Sequence, residues 1–307
     1  MRDNNYWKKR FQLEDDESIR KAEEALLEVS AGIEEDINDD IVHISQISDR
    51  IEKEYKEWGQ TKGLLTGLPR LDEKIRGISA GHVVLISGET SNGKSALATN
   101  IAVNVSRERP VLFITLEMVL EEIGSRIMHL NGGTVDNLDL LFQSEHRITY
   151  KDIGKLLARA KEEANIEMVV LDYLQYLGRG MTEREVAVMS KEIKTLALEH
   201  NIPFVVIVSL RKGEGGKNKR KWTEIEIEDI MGTGAIGYDC DVAMVASRKD
   251  LNNEFDNEHV YVKVLKVRNG KLDYDDRYLC FKWDETRIYE DWASEAKLEI
   301  NGGYTEA

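Results

Sequence analysis

Residues 83–95 of the chain, VVLISGETSNGKS, decide its fold class. The apolar run Val83–Ser87 predicts a buried strand, and the segment from Lys94 to about Arg107 predicts a helix. Between them, residues 88–95 fit the phosphate-binding spacing G-x-x-x-x-G-K-[ST]. Glycines in such a loop let backbone N–H groups turn toward phosphate oxygens, and the following helix adds its positive end. This order predicts nucleotide binding; a glycine-rich structural turn is the alternative.

The side chains of this loop have separate predicted roles. The Lys94 ammonium would neutralise charge on the β- and γ-phosphates, and the Ser95 hydroxyl would bind Mg²⁺. The predicted nucleotide-binding residues are Gly88, Glu89, Thr90, Ser91, Asn92, Gly93, Lys94 and Ser95.

Short apolar runs alternate with longer amphipathic segments through the rest of the chain. This alternation predicts an α/β domain over residues 61–307, with a mostly parallel sheet covered on both faces. The last three predicted strands follow one another without helices, which predicts an antiparallel edge. Further predicted strands are 111–115, 168–171, 203–208, 242–246, 259–267 and 278–283, and further predicted helices are 153–165 and 183–200.

Residues 1–60 form a separate acidic arm in the prediction. They contain 17 acidic and 9 basic residues, so they carry −8 of the net charge of −15 of the whole chain. Apolar residues at helical spacing predict a helix from Ile41 to Trp58. One amphipathic helix cannot form its own core, so it must bury its apolar stripe on the following domain or on a neighbouring subunit.

Composition excludes several classes of protein. The acidic balance excludes a uniformly basic nucleic-acid coat, so any nucleic-acid contact must use a local basic patch. The two cysteines, Cys240 and Cys280, lack the spacing of a zinc site or a disulfide framework. No apolar run approaches the length of a membrane span, and the first residues do not form a signal peptide. We therefore expect a cytoplasmic protein without a membrane partner, in the host cytoplasm if it is phage-encoded.

Two carboxylates follow predicted strands. Asp172 comes directly after the apolar run 168–171, where a ligand of Mg²⁺ or its water belongs in a nucleotide-binding sheet. Its alternative is a helix or turn cap. Glu117 follows the strand 111–115 and could polarise a water for attack on the γ-phosphate; an ordinary surface glutamate is equally compatible with its position.

Six segments occur in an order that is typical of one family. They are Thr66–Asp72 with Gly77 and Gly81, the phosphate-binding loop, Leu116–Met118, Leu171–Gln175, Gly232–Ile236 with Asp239–Asp241, and Lys266–Gly270. From Thr66 to about Glu290 the chain thus resembles the ATPase domain of the hexameric replicative DNA helicases of the DnaB family, which has a RecA-type fold. The resemblance implies ATP and Mg²⁺ as cofactors, a homo-hexameric ring and single-stranded DNA as partner, and it leaves a primase or helicase loader open as a further partner.

The resemblance also assigns roles to single residues. It makes Glu117 the catalytic base, Asp172 part of the Walker B segment, and Arg268 an arginine finger that reaches the ATP of the neighbouring subunit. It gives Lys266 a helper role and lets Arg248 stack on the adenine, although Arg248 could equally be a rim charge. The helix from Ile41 to Trp58 would be the family's linker helix.

The residues themselves say less about Lys266 and Arg268. Lys266 and Arg268 are two positions apart on a predicted strand, so their side chains lie on the same face of it. Without local carboxylates, two such cations require an anionic partner, and the γ-phosphate of a neighbouring subunit would be one. The alternative is a solvated strand edge that discourages aggregation.

Two glycine-containing basic loops are the predicted DNA contacts. The segment 211–221 has six basic residues and one acidic residue in a chain that is otherwise acidic, which suits contacts to a phosphate backbone. In the family, a loop here lines the central channel, and 178–180 corresponds to a second DNA loop. A solvated loop is the alternative. The predicted DNA-binding residues are Arg179, Arg211, Lys212, Lys217, Lys219, Arg220 and Lys221.

The chain departs from the family pattern at three places. Ser209 stands where family members often have Gln or His, Met231 stands where they have Arg, and 60 residues precede the domain in place of a larger amino-terminal domain. Two other functions remain open on the sequence alone. One is a RecA-like recombination ATPase without strand separation, and the other is a regulatory ATP-binding subunit that docks through its acidic arm.

Overall fold

The computed structural model describes residues 44–48, 52–53, 56, 63–144, 148–177, 182–210, 221–230, 234–268, 272 and 277–290. Most of the predicted arm and of its helix lies outside these residues, so the domain boundary at residue 60 stays a prediction. The chain divides into two compact units, Met1–Trp58 and Gly59–Ala307. In the first unit, Ile44–Ile47 form a 3₁₀ turn, and Ser48 Oγ donates to Ser45 O at 3.0 Å.

The second unit contains nine described strands and seven described α-helices. The strands are β1 Val83–Ser87, β2 Val111–Thr115, β3 Leu140–Gln143, β4 Met168–Asp172, β5 Phe204–Ile207, β6 Val242–Ser247, β7 His259–Val267, β8 Tyr278–Asp284 and β9 Arg287–Tyr289. The helices are α1 Pro69–Ile75, α2 Lys94–Ser106, α3 Leu120–Leu130, α4 Tyr150–Ala164, α5 Leu174–Leu177, α6 Glu183–His200 and α7 Gly234–Asp239.

The nine strands form one sheet in the order β3-β2-β4-β5-β1-β6-β7-β8-β9. The strands from β3 to β6 are parallel, whereas β7, β8 and β9 are antiparallel to their neighbours. This architecture confirms the predicted α/β fold with an antiparallel edge. The carboxyl ends of the parallel strands all lie on the same side of the domain, and folds of this kind bind ligands in the loops that follow these ends.

β1 lies between β5 and β6 and is buried along its whole length. Because side chains alternate along a strand, its residues enter two different core layers. Val84 and Ile86 pack in the layer that contains residues of α2 and α3, whereas Leu85 packs in the layer that contains residues of α4 and α6. Both faces of the sheet are thus covered, as the continuous apolar runs predict.

Several elements differ from the prediction. The predicted helix 153–165 begins earlier, at Tyr150, because the Asp152 carboxylate accepts the Thr149 N–H at 2.8 Å and caps it. Helices α1, α3, α5 and α7 and strands β3 and β9 were not predicted. In the described part of the chain, no helix combines the length and apolarity needed to span a bilayer.

Candidate active site

The phosphate-binding loop runs from the end of β1 to the start of α2. Gly88 has φ +150°, and a Cβ there would come within 2.4 Å of the carbonyl oxygen of Ala246 on β6. Gly93 has φ +86° and directly precedes Lys94, the first residue of α2. Glycine is therefore required at Gly88 by a close approach of two backbones, and it is favoured at Gly93 by a left-handed conformation.

Polar contacts hold the loop in place, some within the loop and others from the segment that follows β6. Lys94 Nζ donates to Glu89 O at 2.8 Å. The Glu89 carboxylate accepts Lys249 Nζ at 2.9 Å and Asn92 Nδ2 at 3.3 Å through the same oxygen. Asn92 Oδ1 in turn accepts the Arg248 backbone N–H at 3.3 Å. The loop is thus connected to the segment that follows β6.

Asp172, the last residue of β4, lies beside this loop. The residue is 1% exposed, and neither carboxylate oxygen accepts a hydrogen bond of normal geometry from the described residues. Burial raises the pKa of the Asp172 carboxyl to about 6, although the nearby Ser95 hydroxyl lowers it in part. Buried oxygens without partners, next to a serine hydroxyl, form a donor set that suits a hydrated Mg²⁺. The residues present therefore fit this ion.

Glu117 lies in the turn after β2, next to Asp172. Thr115 pairs with Asp172 in the sheet, and Leu116 N–H donates to Asp172 O at 2.8 Å. The Thr115 hydroxyl fixes the turn, since it accepts Met118 N–H at 3.3 Å. The Glu117 carboxylate is exposed.

Lys94 is the cation that these carboxylates surround. Burial lowers the pKa of Lys94, whereas Asp172, Glu117 and Glu89 act in the opposite direction. The fold thus brings Lys94, Asp172 and Glu117, which are far apart in sequence, to the carboxyl ends of β1, β4 and β2. This arrangement can support phosphoryl transfer to water, with a cation available to the phosphates and carboxylates available to a metal ion and to a water.

Arg248 is not a rim charge, because its side chain is largely buried and held by this chain. Its Nε donates to Asp256 O at 3.2 Å, and one terminal nitrogen donates to Asn257 O at 2.9 Å. The guanidinium carbon lies 4.3 Å from the Trp283 ring centroid and 5.4 Å from that of Phe255. Stacking of Arg248 on an adenine stays a prediction, but the guanidinium already has aromatic partners within the chain.

The expectation that Arg268 has no carboxylate partner within the chain is wrong, and Lys266 is held by backbone carbonyls. Lys266 Nζ donates to Gly237 O at 2.9 Å and Tyr238 O at 3.0 Å, at the carboxyl end of α7. Arg268 lies just beyond β7, and its guanidinium pairs with Asp241 Oδ1 at 3.1 Å. Asp241 is distant in sequence, and the antiparallel pairing of β6 with β7 brings it next to Arg268. The finger role of Arg268 and the helper role of Lys266 stay predictions.

The direction of β7 separates Arg268 from the phosphate-binding loop of its own chain. Val267 pairs with Val242, at the start of β6, whereas Tyr261 pairs with Ser247, at its end next to the loop. Five residue steps along a strand are about 17 Å. Arg268 therefore lies at the amino ends of the parallel strands, whereas Lys94 lies at their carboxyl ends.

The predicted DNA loops fall almost wholly outside the described residues. This applies to Arg179 and to every predicted residue from Arg211 to Arg220, while Lys221 is described and exposed. The segment after Lys221 is anchored by Lys263, which is fully buried on β7. Lys263 Nζ donates to Thr223 O at 2.7 Å, to Ile225 O at 2.6 Å and to the Glu226 carboxylate at 3.0 Å.

Sequence reasoning assigned no role to Lys263, Lys249 or Asp241. A lysine within the apolar strand 259–267 is a usable signal, since a buried ammonium requires internal acceptors. Asp241 lies in one of the segments that resemble the family, but its partners come from distant parts of the chain, as does the partner of Lys249.

The comparison with protein families decides the relationship. The model of the DnaB-like helicase C terminal domain matches residues 63–139 and 129–289, which is most of the chain. The chain belongs to the DnaB-like helicase C-terminal domain family. The segments from Thr66 to Glu290 that resemble this family in the sequence thus lie in the region that its model matches.

Among individual proteins, the chain is similar to the replicative DNA helicase DnaB of Geobacillus stearothermophilus, with 28% identity over 291 residues. That alignment covers 84% of this chain and 63% of the relative. The replicative DNA helicase DnaB of Leifsonia xyli is also 28% identical, over 72% of this chain and 55% of the relative. The chain therefore spans somewhat more than half the length of these relatives.

Among solved structures, the fold is similar to that of a DnaB-like replicative helicase described with its interactions with primase. The TM-score is 0.69 and the identity 19%, over 93% of this chain and 76% of that one. A separately solved ATPase domain matches equally well, with a TM-score of 0.69 and 17% identity over 81% of this chain and 99% of that one. The RadB recombinase matches at a TM-score of 0.54 and 16% identity, over 75% of this chain and 100% of that one. These likenesses establish a RecA-like fold.

Proposed function

We propose that the chain is the ATPase motor of a DNA helicase, which works as a homo-hexameric ring on single-stranded DNA. Family membership supports the helicase class, and similar proteins are named replicative DNA helicases. The single observation that carries the mechanism is the position of Arg268 at the amino ends of the parallel strands, away from Lys94 at their carboxyl ends. A cation there cannot reach the triphosphate of its own chain, so it suits the site of an adjoining copy.

The residues at the carboxyl ends of the parallel strands have complementary roles in hydrolysis. Lys94 and the loop amides bind the β- and γ-phosphates, and Glu117 accepts a proton from the water that attacks the γ-phosphorus, so that ADP and phosphate leave. Ser95 and Asp172 would hold Mg²⁺, which when bound neutralises phosphate charge. Arg268 of an adjoining copy would stabilise charge on the γ-phosphoryl group, and an arginine finger of this kind contributes about 10³-fold or more to the rate in GTPases.

Contact with DNA is assigned to the basic segment 211–221 and to Arg179. Lys263 supports this assignment, because it fixes the backbone at the exit of the segment. Phosphate contacts by Lys and Arg predict weak sequence preference and strong salt dependence. A primase or a helicase loader is a further proposed partner, since one structure with this fold is described together with primase.

Complementation between two inactive variants tests the shared site. Lys94→Ala removes the phosphate ligand, and Arg268→Ala removes the finger, so each variant alone should lose ATPase activity. In mixed rings, some interfaces combine an intact loop with an intact finger, and we expect activity to return. Failure of the mixture to regain activity would refute a finger supplied by another copy.

Strand separation distinguishes the helicase from a recombination ATPase. We expect ATP hydrolysis to be stimulated by single-stranded DNA, and a forked duplex to be unwound only when ATP is hydrolysed. DNA-stimulated hydrolysis without unwinding would favour the recombination ATPase. A protein that binds ATP without hydrolysing it would favour the regulatory subunit.

A further inference from the structure

Asp241 is a buried carboxylate between α7 and β6. It lies at the amino ends of the parallel strands, whereas the phosphate-binding loop lies at their carboxyl ends. Asp241 is 2% exposed. Its Oδ2 accepts the Val83 backbone N–H at 2.8 Å and Lys194 Nζ at 2.7 Å. Its Oδ1 pairs with the Arg268 guanidinium at 3.1 Å. The two oxygens thus have different partners: one is fixed by the interior of the chain, and the other contacts Arg268.

The backbone around Asp241 adds to this fixation. Asp241 N–H donates to Val83 O at 2.9 Å, and Arg268 N–H donates to Asp241 O at 2.8 Å. Arg268 is therefore held by Asp241 through both its main chain and its side chain. Val83 begins β1, a strand buried on both faces, so the carboxylate is attached to the core of the sheet.

The Arg268 side chain retains capacity for a further partner. It is 48% exposed. A guanidinium has five N–H donors in a planar fork, and its pair with Asp241 uses one nitrogen. Such a fork matches the geometry of phosphate oxygens. Asp241 thus restricts the direction of the guanidinium without enclosing it.

Charge at this cluster also favours an anionic partner. Two cations, Lys194 and Arg268, share the single carboxylate of Asp241, which leaves the cluster with an excess of positive charge. On the inner side, Lys194 pairs with Oδ2 of the carboxylate, which leaves Oδ1 for the outer contact with Arg268. The excess charge then lies on the exposed side, where Arg268 reaches the surface.

We propose that Asp241 is a positioning residue for Arg268: it aims the guanidinium outward, toward the γ-phosphate bound by an adjoining copy. This inference rests on the proposed role of Arg268 as a finger supplied by another copy. Asp241 itself does not contact the nucleotide. Its contribution is geometric, and a displacement of about 1 Å at a catalytic group can cost about 100-fold in rate.

A double-mutant cycle on the full chain tests this role. Asp241→Asn should lower kcat for DNA-stimulated ATP hydrolysis about 100-fold while KM for ATP changes little. In the Arg268→Ala background, Asp241→Asn should cause no additional loss, because the residue acts through Arg268. A purely structural role would instead give losses that multiply. Asp239→Asn is the matched control: Asp239 accepts the hydroxyl of Ser190, a residue of α6, at 2.9 Å, and its loss should leave kcat unchanged.

The ATPase activity of a mixture of Asp241→Asn with Lys94→Ala is a second measurement. It distinguishes a positioning role of Asp241 from a purely structural one. Asp241→Asn retains its own Lys94, Asp172 and Glu117, so its site should work when the finger comes from a Lys94→Ala copy with an intact Asp241. We therefore expect the mixture to regain ATPase activity. No recovery would mean that Asp241→Asn damages its own site, and this would overturn the proposal.

The outcomes separate this inference from the proposed function. If Arg268→Ala hydrolyses ATP at the normal rate, the finger role fails, and the role of Asp241 fails with it. If Arg268→Ala is inactive but Asp241→Asn is normal, or the two losses multiply, only the inference about Asp241 is overturned. If Asp241→Asn does not fold by circular dichroism, Asp241→Glu replaces it. Glu keeps the charge and moves the oxygens by one methylene, and the same cycle and mixture apply.

Discussion

The buried carboxyl of Asp172 predicts that the active site destabilises the domain when Mg²⁺ is absent. Its pKa rises from 3.8 to about 6 on folding, mainly because burial disfavours the ionised form. At 1.36 kcal/mol per pKa unit, this difference corresponds to a penalty of about 3 kcal/mol. The penalty is absent below pH 3.8, grows as pH rises toward 6, and is constant above it. Asp172→Asn, which cannot ionise, should therefore be more stable than the wild type at neutral pH.

Urea unfolding in EDTA at fixed protein concentration measures this effect. We compare the free energies of unfolding of wild type and Asp172→Asn at about pH 4.5 and about pH 8. The advantage of the variant should be about 2 kcal/mol larger at the higher pH, because about 1 kcal/mol of the penalty is already present at the lower one. Asp136→Asn, at an exposed position, should show no such dependence. An advantage of Asp172→Asn that is equal at both pH values would refute the reasoning.

Three further perturbations test other parts of the site and the core. Gly88→Ala should abolish ATP binding in calorimetry, because the new Cβ would meet a carbonyl of β6 at 2.4 Å. Lys263→Met should lower the free energy of unfolding by about 1–3 kcal/mol in urea titrations, since buried carbonyl oxygens lose their donor. Replacing Lys217 and Lys219 by Ala should reduce the slope of log K against log salt for single-stranded DNA by about 1.4, measured by fluorescence anisotropy.

Each of these has a control or a contradicting result. Gly124→Ala on helix α3 meets nothing within 4 Å and should leave ATP binding intact. Lys282→Met removes an exposed pair with Glu258 and should change stability by less than about 1 kcal/mol. A salt slope that does not change on replacement of Lys217 and Lys219 would exclude them from phosphate contact.

The central strands and their helices were predictable because their apolar patterns are long and regular. The strand 259–267 and the helix 183–200 have the predicted bounds. β3 was missed because it is four residues long, pairs only with β2 among the described strands, and is half-buried. Short edge strands of this kind lack a strong apolar signal.

The site was predictable to a different extent. The loop at 88–95 and the carboxylate of Asp172 follow from local patterns, because each comes directly after an apolar run. Glu117 needed the family resemblance, because its position alone fits a surface glutamate equally well. The pair between Arg268 and Asp241 did not follow from local patterns, since it depends on the antiparallel register of β6 and β7. The aromatic contacts of Arg248 likewise come from Phe255 and Trp283, which only the tertiary fold brings to it.

The two strands at the margins of the sheet, β3 and β9, have only four and three residues. Such short borders offer few backbone amides to another chain, so sheets of two molecules would gain little by joining edge to edge. A ring of copies would then rely on contacts other than a shared sheet. Because no continuous hydrogen-bond ladder would join the sheets of two copies, neighbouring domains could rotate against each other as rigid bodies.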